Sequence, residues 1–282
     1  MSHPWLPSSP CGTGCLPQSP ARVSGVTVCA RWLALVLVAS SSLLLPATRL
    51  LPSRWRTLCH RSLARTALRS IGIRLSVERR ERHFEGGSLV VAGHVSWLDI
   101  LVLAAVTPGQ FVARADLLTW PLLGALARRV RVIPIERDRL RSLPLTVAAA
   151  REHLRSGDTV IVFPEGTTWC GRAFGRFRPA LFQAAIDAQR PVQPVTVHYE
   201  DRSDAPTTEP CFVGDESIGR SMRRVLRAKG LRARVVLEAP QQPGTDRREL
   251  AERCERLVRR EADLGADGIV AQLMGRRHVD AA

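Results

Sequence analysis

The chain has 282 residues, 45% of them hydrophobic, which is enough to bury one large core and leave room for additional segments. Its 41 basic residues outnumber its 26 acidic residues, and the formal net charge of +15 indicates an anionic partner such as a phospholipid surface, a phosphorylated substrate or a nucleic acid. The seven cysteines are scattered, and Cys11 and Cys15 have no matching His or Cys pair, so we predict reduced thiols, no disulfide framework and no metal site.

The N-terminal part of the chain changes character between residues 22 and 23. Residues 1–22 are rich in Pro, Ser and Gly, a composition typical of disorder. An uncharged apolar run then extends from Trp32 to Ala47, which is shorter than the roughly 20 residues that a spanning helix needs. We interpret this run as a membrane-embedded or re-entrant helix. A cleaved signal peptide or a buried core helix would produce the same pattern.

An arginine-rich helix is predicted next, from Arg54 to Ile71. Its basic and apolar residues fall on opposite sides, which is typical of a helix that lies flat on an anionic bilayer. The basic side carries Arg61, Arg65 and Arg69, and the apolar side carries Ala64, Ala67, Leu68 and Ile71. We therefore assign residues 23–71 to membrane-associating helices. An ordinary helix with a solvated charged face is the alternative.

Residues 72–264 alternate between short apolar strands and helices, which predicts an α/β domain with a mixed, mostly parallel sheet flanked by helices. The expected strands lie near residues 73–78, 88–92, 110–114, 131–135, 158–163, 192–199 and 231–237. The expected helices lie near residues 97–106, 117–128, 142–155, 179–189, 214–228 and 246–262. Residues 265–282 are expected to form a loosely structured tail.

The most informative stretch runs from Val91 to Ile100, where a predicted buried strand passes into a helix. His94 and Asp99 are five residues apart in it, with Ser96 between them. A histidine can take up a proton near neutral pH, and the aspartate can hold its other ring nitrogen if the chain turns between them. Alternatively, Asp99 or Ser96 caps the helix and His94 is a loop residue without a chemical role.

Three further strands end in polar or charged residues. The strand over residues 158–163 is followed by Pro164, Glu165 and Gly166, so that a carboxylate and a flexible backbone lie at its carboxyl end, where open α/β sheets bind ligands. Arg137 and Arg114 follow two other strands, and a guanidinium at such a position can hold a phosphate. A tight turn and surface ion pairs are the alternatives.

Together these stretches resemble the glycerolipid acyltransferase family, whose best-known members are the bacterial 1-acylglycerol-3-phosphate acyltransferases. The resemblance covers residues 73–200 and rests on four blocks in the same order as in the family. They are the His-x4-Asp block His94–Asp99, the strand with its arginine Ile133–Arg137, the Phe-Pro-Glu-Gly-Thr block Phe163–Thr167, and the late strand Arg190–Val195.

The resemblance implies a membrane enzyme that moves an acyl group from acyl-CoA or acyl carrier protein to a lysophospholipid, most closely 1-acylglycerol-3-phosphate, at the cytoplasmic face of the cell membrane and with no cofactor. It implies that His94 is the general base and that Asp99 orients it, whereas Ser96 is not a nucleophile. The implied substrate-binding residues are Glu165, Gly166, Thr167 and Arg137, with Arg114 and Arg178 as further candidates for a phosphate or the thioester carrier.

One departure from the family pattern affects the acceptor. Many members have an arginine after the Phe-Pro-Glu-Gly-Thr block, and this chain has Thr168. A lyso-aminolipid such as lyso-ornithine lipid is therefore an alternative acceptor. A non-catalytic protein that binds anionic membranes is the alternative from another class, whereas the missing zinc-finger spacing and the apolar segment argue against nucleic acid.

Overall fold

Seven strands form one sheet in a computed structural model, which describes residues 7–18, 20–81, 87–119, 124, 132–136 and 139–260. They are β1 (Arg74–Arg79), β2 (Leu89–Ala92), β3 (Gln110–Arg114), β4 (Ile133–Ile135), β5 (Val160–Val162), β6 (Val192–Glu200) and β7 (Arg232–Leu237). Their order across the sheet is β1-β7-β6-β2-β5-β3-β4. Of these neighbours, only β6 and β7 are antiparallel. The predicted mixed, mostly parallel sheet is confirmed.

The helices follow the predicted alternation. They are α1 (Gly25–Ser41), α2 (Ser53–Ile71), α3 (Leu98–Val106), α4 (Leu143–Arg155), α5 (Phe182–Ala188), α6 (Ile218–Arg227) and α7 (Arg247–Arg259), and a 3-10 helix, Ser42–Leu50, joins the first two. Most of the helix expected over residues 117–128 lies outside the described residues, as does the tail over residues 265–282. Within the described part, the alternating pattern was sufficient to locate the elements.

Helices cover both faces of the sheet because successive side chains of a strand point to opposite sides. In β2, Val90 belongs to a core shared with α2, α3 and α6, whereas Val91 belongs to a second core shared with α4, α5 and α7. All four β2 residues are buried. The strand is thus apolar throughout, as expected for the centre of a parallel sheet with two covered faces.

Helix α2 packs differently from the prediction. Its apolar residues Ala64, Leu68 and Ile71 are buried in the first core, and Arg61 Nη2 donates a 3.0 Å hydrogen bond to the Val106 carbonyl at the end of α3. This apolar side is therefore not available to a bilayer. The alternative stated above, an ordinary helix with a solvated charged face, describes this part of α2 because its apolar side finds a partner within the domain.

Helix α1 lies at the periphery and exposes much of its apolar surface. Leu33, Val36 and Leu37 are more than half exposed, and Trp55 and Leu58 at the start of α2 extend the same apolar character. Arg31 anchors the helix, because its Nη1 donates to the carbonyls of Leu226 and Ala228, both at 2.8 Å. None of the helices in the described part of the chain is both long enough and apolar enough to cross a membrane.

The disorder predicted for residues 1–22 was wrong for residues 7–18 and 20–22. Cys11 is buried in the first core, and the Cys15 carbonyl accepts a 2.7 Å hydrogen bond from Thr208 Oγ1. Arg22 forms a 2.9 Å ion pair with Glu209. These contacts offset the entropy lost on ordering the segment. Composition alone could not reveal them, because the partners lie more than 150 residues away along the chain.

Candidate active site

The sheet brings His94 and Glu165 together. Strands β2 and β5 are parallel neighbours, so the loops at their carboxyl ends emerge at the same edge of the sheet. The His94 backbone N–H donates a 2.8 Å hydrogen bond to Glu165 Oε2. Two motifs that are 71 residues apart in the sequence are therefore joined by a direct contact.

His94 and Asp99 form the predicted pair. The chain turns after β2 so that His94 Nδ1 and Asp99 Oδ2 are 2.9 Å apart. The same oxygen accepts hydrogen bonds from the backbone N–H groups of Val95 at 2.7 Å and Ser96 at 2.8 Å. An ionised carboxylate only accepts hydrogen bonds, so Nδ1 carries the proton and Nε2 is left as the basic nitrogen.

The imidazole of His94 is held in place on one face. The Phe163 ring stacks on it with centroids 4.1 Å apart and planes inclined by 16°. The His94 carbonyl accepts a 2.7 Å hydrogen bond from the Trp169 N–H. The His94 side chain is 18% exposed, whereas the side chain of Asp99 is fully buried. The ring is thus oriented by protein groups and keeps access to solvent.

Tyr199 completes the surroundings of Asp99, and no motif in the sequence pointed to it. It is the single tyrosine of the chain and lies near the end of β6, where its hydroxyl donates a 2.7 Å hydrogen bond to Asp99 Oδ1. Burial, together with the adjacent Asp99 charge, raises the pKa of Tyr199 well above its ordinary value. Tyr199 therefore stays neutral and acts as a hydrogen-bond donor to the carboxylate.

Glu165 lies beneath the His94 loop and does not face open solvent. Besides the His94 N–H, it binds the Gly175 N–H through Oε1 at 3.2 Å, and it is 4% exposed. Burial raises the pKa of Glu165 to about 8, although the two backbone hydrogen bonds act in the opposite direction. Both carboxyl oxygens contact the backbone, so this geometry corresponds to a residue that positions the His94 loop. The contact with an acceptor headgroup expected from the sequence stays a prediction.

Gly166 and Thr167 follow in a tight turn. Gly166 has φ of +76°, a conformation that favours glycine, and its N–H donates to the Phe163 carbonyl at 3.1 Å. Arg178 lies beside this turn, since its N–H donates to the Pro164 carbonyl at 3.0 Å and its Nε lies 3.8 Å from the position that a Cβ on Gly166 would occupy. Arg178 is thus the predicted cation that the structure brings to the Glu165 loop.

The other two arginines predicted to bind a phosphate are Arg114 and Arg137. Arg114 lies at the end of β3 with an exposed side chain, and it forms a two-bond ion pair with Asp116, at 2.9 Å through Nε and 2.6 Å through Nη2. Of the two alternatives, a phosphate-binding cation and a surface ion pair, the surface ion pair describes Arg114 in this structure. Arg137 lies outside the described residues.

Ser96 does not have the surroundings of a nucleophile. It is fully buried, and its Oγ accepts a 3.3 Å hydrogen bond from the Leu98 N–H at the beginning of α3. Its hydroxyl thus accepts a backbone hydrogen bond at the start of α3. Chemically, the site offers a histidine base with a fixed tautomer, supported by a buried carboxylate, and a cation beside the neighbouring loop.

Known proteins resemble this chain in sequence and in fold. A family model described as Acyltransferase matches residues 73–198. A 1-acyl-sn-glycerol-3-phosphate acyltransferase of Neisseria meningitidis is 34% identical over 199 residues, which are 70% of this chain and 78% of that protein. A lyso-ornithine lipid O-acyltransferase of Pseudomonas aeruginosa is 36% identical over 172 residues, 61% of this chain and 66% of that protein.

A solved structure has the same fold. The crystal structure of the 1-acyl-sn-glycerophosphate acyltransferase of Thermotoga maritima superposes with a TM-score of 0.65 at 20% sequence identity. The match covers 84% of this chain and 94% of that one. The shared fold includes the sheet whose edge carries His94 and Glu165.

Proposed function

The chain belongs to the acyltransferase family, and from this membership we propose that it transfers a fatty acyl group from an acyl thioester to the free hydroxyl of a lysophospholipid. The proposed acceptor is 1-acylglycerol-3-phosphate, which would give phosphatidic acid. The observation that carries the proposal is the His94–Asp99 pair at the carboxyl end of β2, with Nδ1 held by the carboxylate and Nε2 left basic.

The reaction needs one base and no protein nucleophile. His94 Nε2 removes the proton from the acceptor hydroxyl while its oxygen attacks the thioester carbonyl carbon. The tetrahedral intermediate collapses, the carbon–sulfur bond breaks, and the leaving thiolate takes the proton from the His94 imidazolium. The products are the acylated lipid and a free thiol, either coenzyme A or acyl carrier protein.

Asp99 stabilises the imidazolium that forms during this step, as the carboxylate of a hydrolase triad does. Its backbone donors from Val95 and Ser96 and its contact with Tyr199 keep it fixed while the charge on His94 changes. Because these donors are already oriented in the structure, little reorganisation is required when the proton moves.

Substrate recognition is assigned to the loop after β5. Arg178, beside Gly166 and Thr167, supplies a cation for an anionic headgroup, and Glu165 positions the His94 loop from below. Arg137, which comes two residues after β4 in the sequence, is proposed as the second headgroup cation. Arg114 is a lesser contributor because Asp116 already satisfies its guanidinium.

Lyso-ornithine lipid is the second candidate acceptor, favoured by one observation. Thr168 occupies the position after Thr167, where a cation would reinforce binding of a phosphomonoester. The resemblance to the Pseudomonas aeruginosa lyso-ornithine lipid O-acyltransferase points in the same direction. Such an acceptor also presents a free hydroxyl, so His94 would perform the same chemistry.

We assign the protein to the cytoplasmic face of the cell membrane. The apolar surface of α1 and of the start of α2 would enter the lipid, and the net charge of +15 would attract an anionic leaflet. No metal or cofactor takes part in the proposed reaction.

The proposal is tested by incubating the purified full-length protein with one labelled acyl thioester and a panel of lysolipids. The expected result is labelled phosphatidic acid formed only when 1-acylglycerol-3-phosphate is present. Product from the lyso-ornithine lipid alone would select the second acceptor. Thioester hydrolysis that does not depend on any lysolipid would contradict both.

A further inference from the structure

Three cysteines from distant parts of the sequence meet outside the candidate active site. Cys11 lies two residues before the short 3-10 helix Thr13–Cys15, Cys15 is the last residue of that helix, and Cys170 follows the Phe163–Thr167 block. Their three sulfur atoms all lie within 4.8 Å of one another. All three are thiols in the structure, and no local pattern reveals a partner for the first two because the third lies about 155 residues away.

We propose that Cys11, Cys15 and Cys170 form a thiolate site for a thiophilic divalent cation such as Zn²⁺. Zinc binds cysteine sulfur at about 2.3 Å, which places two sulfurs of a tetrahedral site about 3.8 Å apart, and this fits within the observed separations. The three residues between Cys11 and Cys15 also match the ligand spacing common in structural zinc sites. This proposal departs from the sequence-based expectation that the chain has no metal site.

The environment of Cys170 suits a thiolate ligand. The backbone N–H groups of Arg172 and Ala173 lie near its sulfur and favour a negative charge there. Gly171, with φ of +78°, provides the turn that directs these groups back toward Cys170. Donors of this kind orient a metal ligand and stabilise its negative charge.

A fourth cysteine lies next to the group. Cys211 is fully buried, and its thiol donates a 3.1 Å hydrogen bond to the Cys170 carbonyl. Because it contacts Cys170 directly, Cys211 is the candidate fourth ligand. The four cysteines on one side of the fold then have a common explanation, whereas a disulfide could use only two of the three converging sulfurs.

Metal binding at this place would fix the N-terminal segment onto the loop that carries the Phe-Pro-Glu-Gly-Thr block. Cys170 lies five residues after Glu165, and Pro7, four residues before Cys11, packs so closely on Gly166 that a Cβ there would be 2.6 Å from Pro7 Cγ. The metal would thus determine how residues 7–15 cover this loop. The inference concerns a structural ion and does not depend on the acyl acceptor or on the reaction.

The test is a metal analysis of the full-length protein, purified under reducing conditions from zinc-supplemented medium and washed free of loosely bound metal. We expect about one zinc per chain, and a strong loss of zinc in Cys11→Ser and Cys170→Ser. Cys29→Ser is the matched control, because Cys29 is exposed on α1 and outside the group, and it should keep its zinc.

A second measurement covers the case in which a variant fails to fold. In the unmodified protein, Cys11, Cys15 and Cys170 should resist alkylation until a zinc chelator is added, and cobalt should give thiolate charge-transfer absorption. Zinc-free protein from supplemented medium, zinc retained in a folded Cys170→Ser variant, or a metal-free Cys11–Cys170 disulfide seen by mass spectrometry would each overturn the proposal.

Discussion

Tyr199 and Asp99 are 100 residues apart in the sequence and are joined by a 2.7 Å hydrogen bond from the tyrosine hydroxyl to Asp99 Oδ1. Because Asp99 Oδ2 is already occupied by His94 and two backbone N–H groups, this contact satisfies the remaining oxygen of a fully buried carboxylate. His94, Asp99 and Tyr199 therefore form a triad, in which the tyrosine hydroxyl supports the carboxylate.

Replacing Tyr199 with Phe removes this donor and little else. A hydrogen bond to a charged group contributes about 1.5–3 kcal/mol, so we expect kcat to fall by roughly tenfold or more. The measurement is the steady-state rate of acyl transfer from a thioester to 1-acylglycerol-3-phosphate, compared between Tyr199→Phe and the unmodified protein. An unchanged kcat in a folded variant would reduce Tyr199 to a packing role.

Glu165 should make the folded protein less stable as the pH rises. Its folded pKa of about 8 exceeds its ordinary value of 4.5. Between these two values, the folded chain holds a proton that the unfolded chain has released, so the stabilisation is complete at low pH and is lost as the pH passes through about 8.

The measurement is the thermal unfolding midpoint from about pH 5 to about pH 9. The midpoint should fall less with rising pH in Glu165→Gln than in the unmodified protein. Glu152→Gln is the control, because the Glu152 side chain is 61% exposed, and it should follow the unmodified protein. Parallel curves for all three proteins would show that Glu165 is not the group responsible.

The sequence predicted the elements well because each buried strand and each amphipathic helix has its own local period. It also predicted His94 and Asp99, which are close enough along the chain to meet through one turn. Tyr199 and the packing of Cys11 were missed because their partners lie more than 99 residues away, and no local pattern carries that information. The contact of Glu165 with the His94 loop was also missed, since a motif does not reveal which backbone groups its carboxylate meets.

Among the cations, Arg178 should matter more than Arg114 for binding of an anionic acceptor. Loss of a charge-assisted contact of about 1.5–3 kcal/mol should raise the acceptor KM of Arg178→Ala by roughly 10- to 100-fold, with a smaller effect on kcat. Arg114→Ala should change KM by only about twofold, because an exposed ion pair contributes little. Arg137→Ala is expected to resemble Arg178→Ala. Equal and small effects of all three substitutions would favour an uncharged acceptor site.

The exposed apolar residues of α1 should determine binding to membranes. The double variant Leu33→Asp/Leu37→Asp should bind anionic phospholipid vesicles at least about tenfold more weakly, since each leucine that leaves lipid costs about 1.5–3 kcal/mol. Leu145→Asp on α4 is the control, because Leu145 is 73% exposed and outside this surface, and it should bind normally. Binding is measured by co-sedimentation with the vesicles. Equal binding of the double variant and Leu145→Asp would mean that the membrane contact lies elsewhere.

The central claim is that His94 acts as the base in acyl transfer, and its most direct test is the rate at which labelled acyl groups move from a thioester to 1-acylglycerol-3-phosphate in His94→Ala and Ser96→Ala. Loss of a general base lowers a rate by roughly 10²–10⁴-fold, so His94→Ala should lose transfer to this extent while keeping its fold and its affinity for acceptor. Ser96→Ala should retain most of the activity, since Ser96 Oγ accepts a hydrogen bond from the backbone at the start of α3. A folded His94→Ala protein with near-normal transfer, or an acyl group trapped on Ser96, would contradict the account.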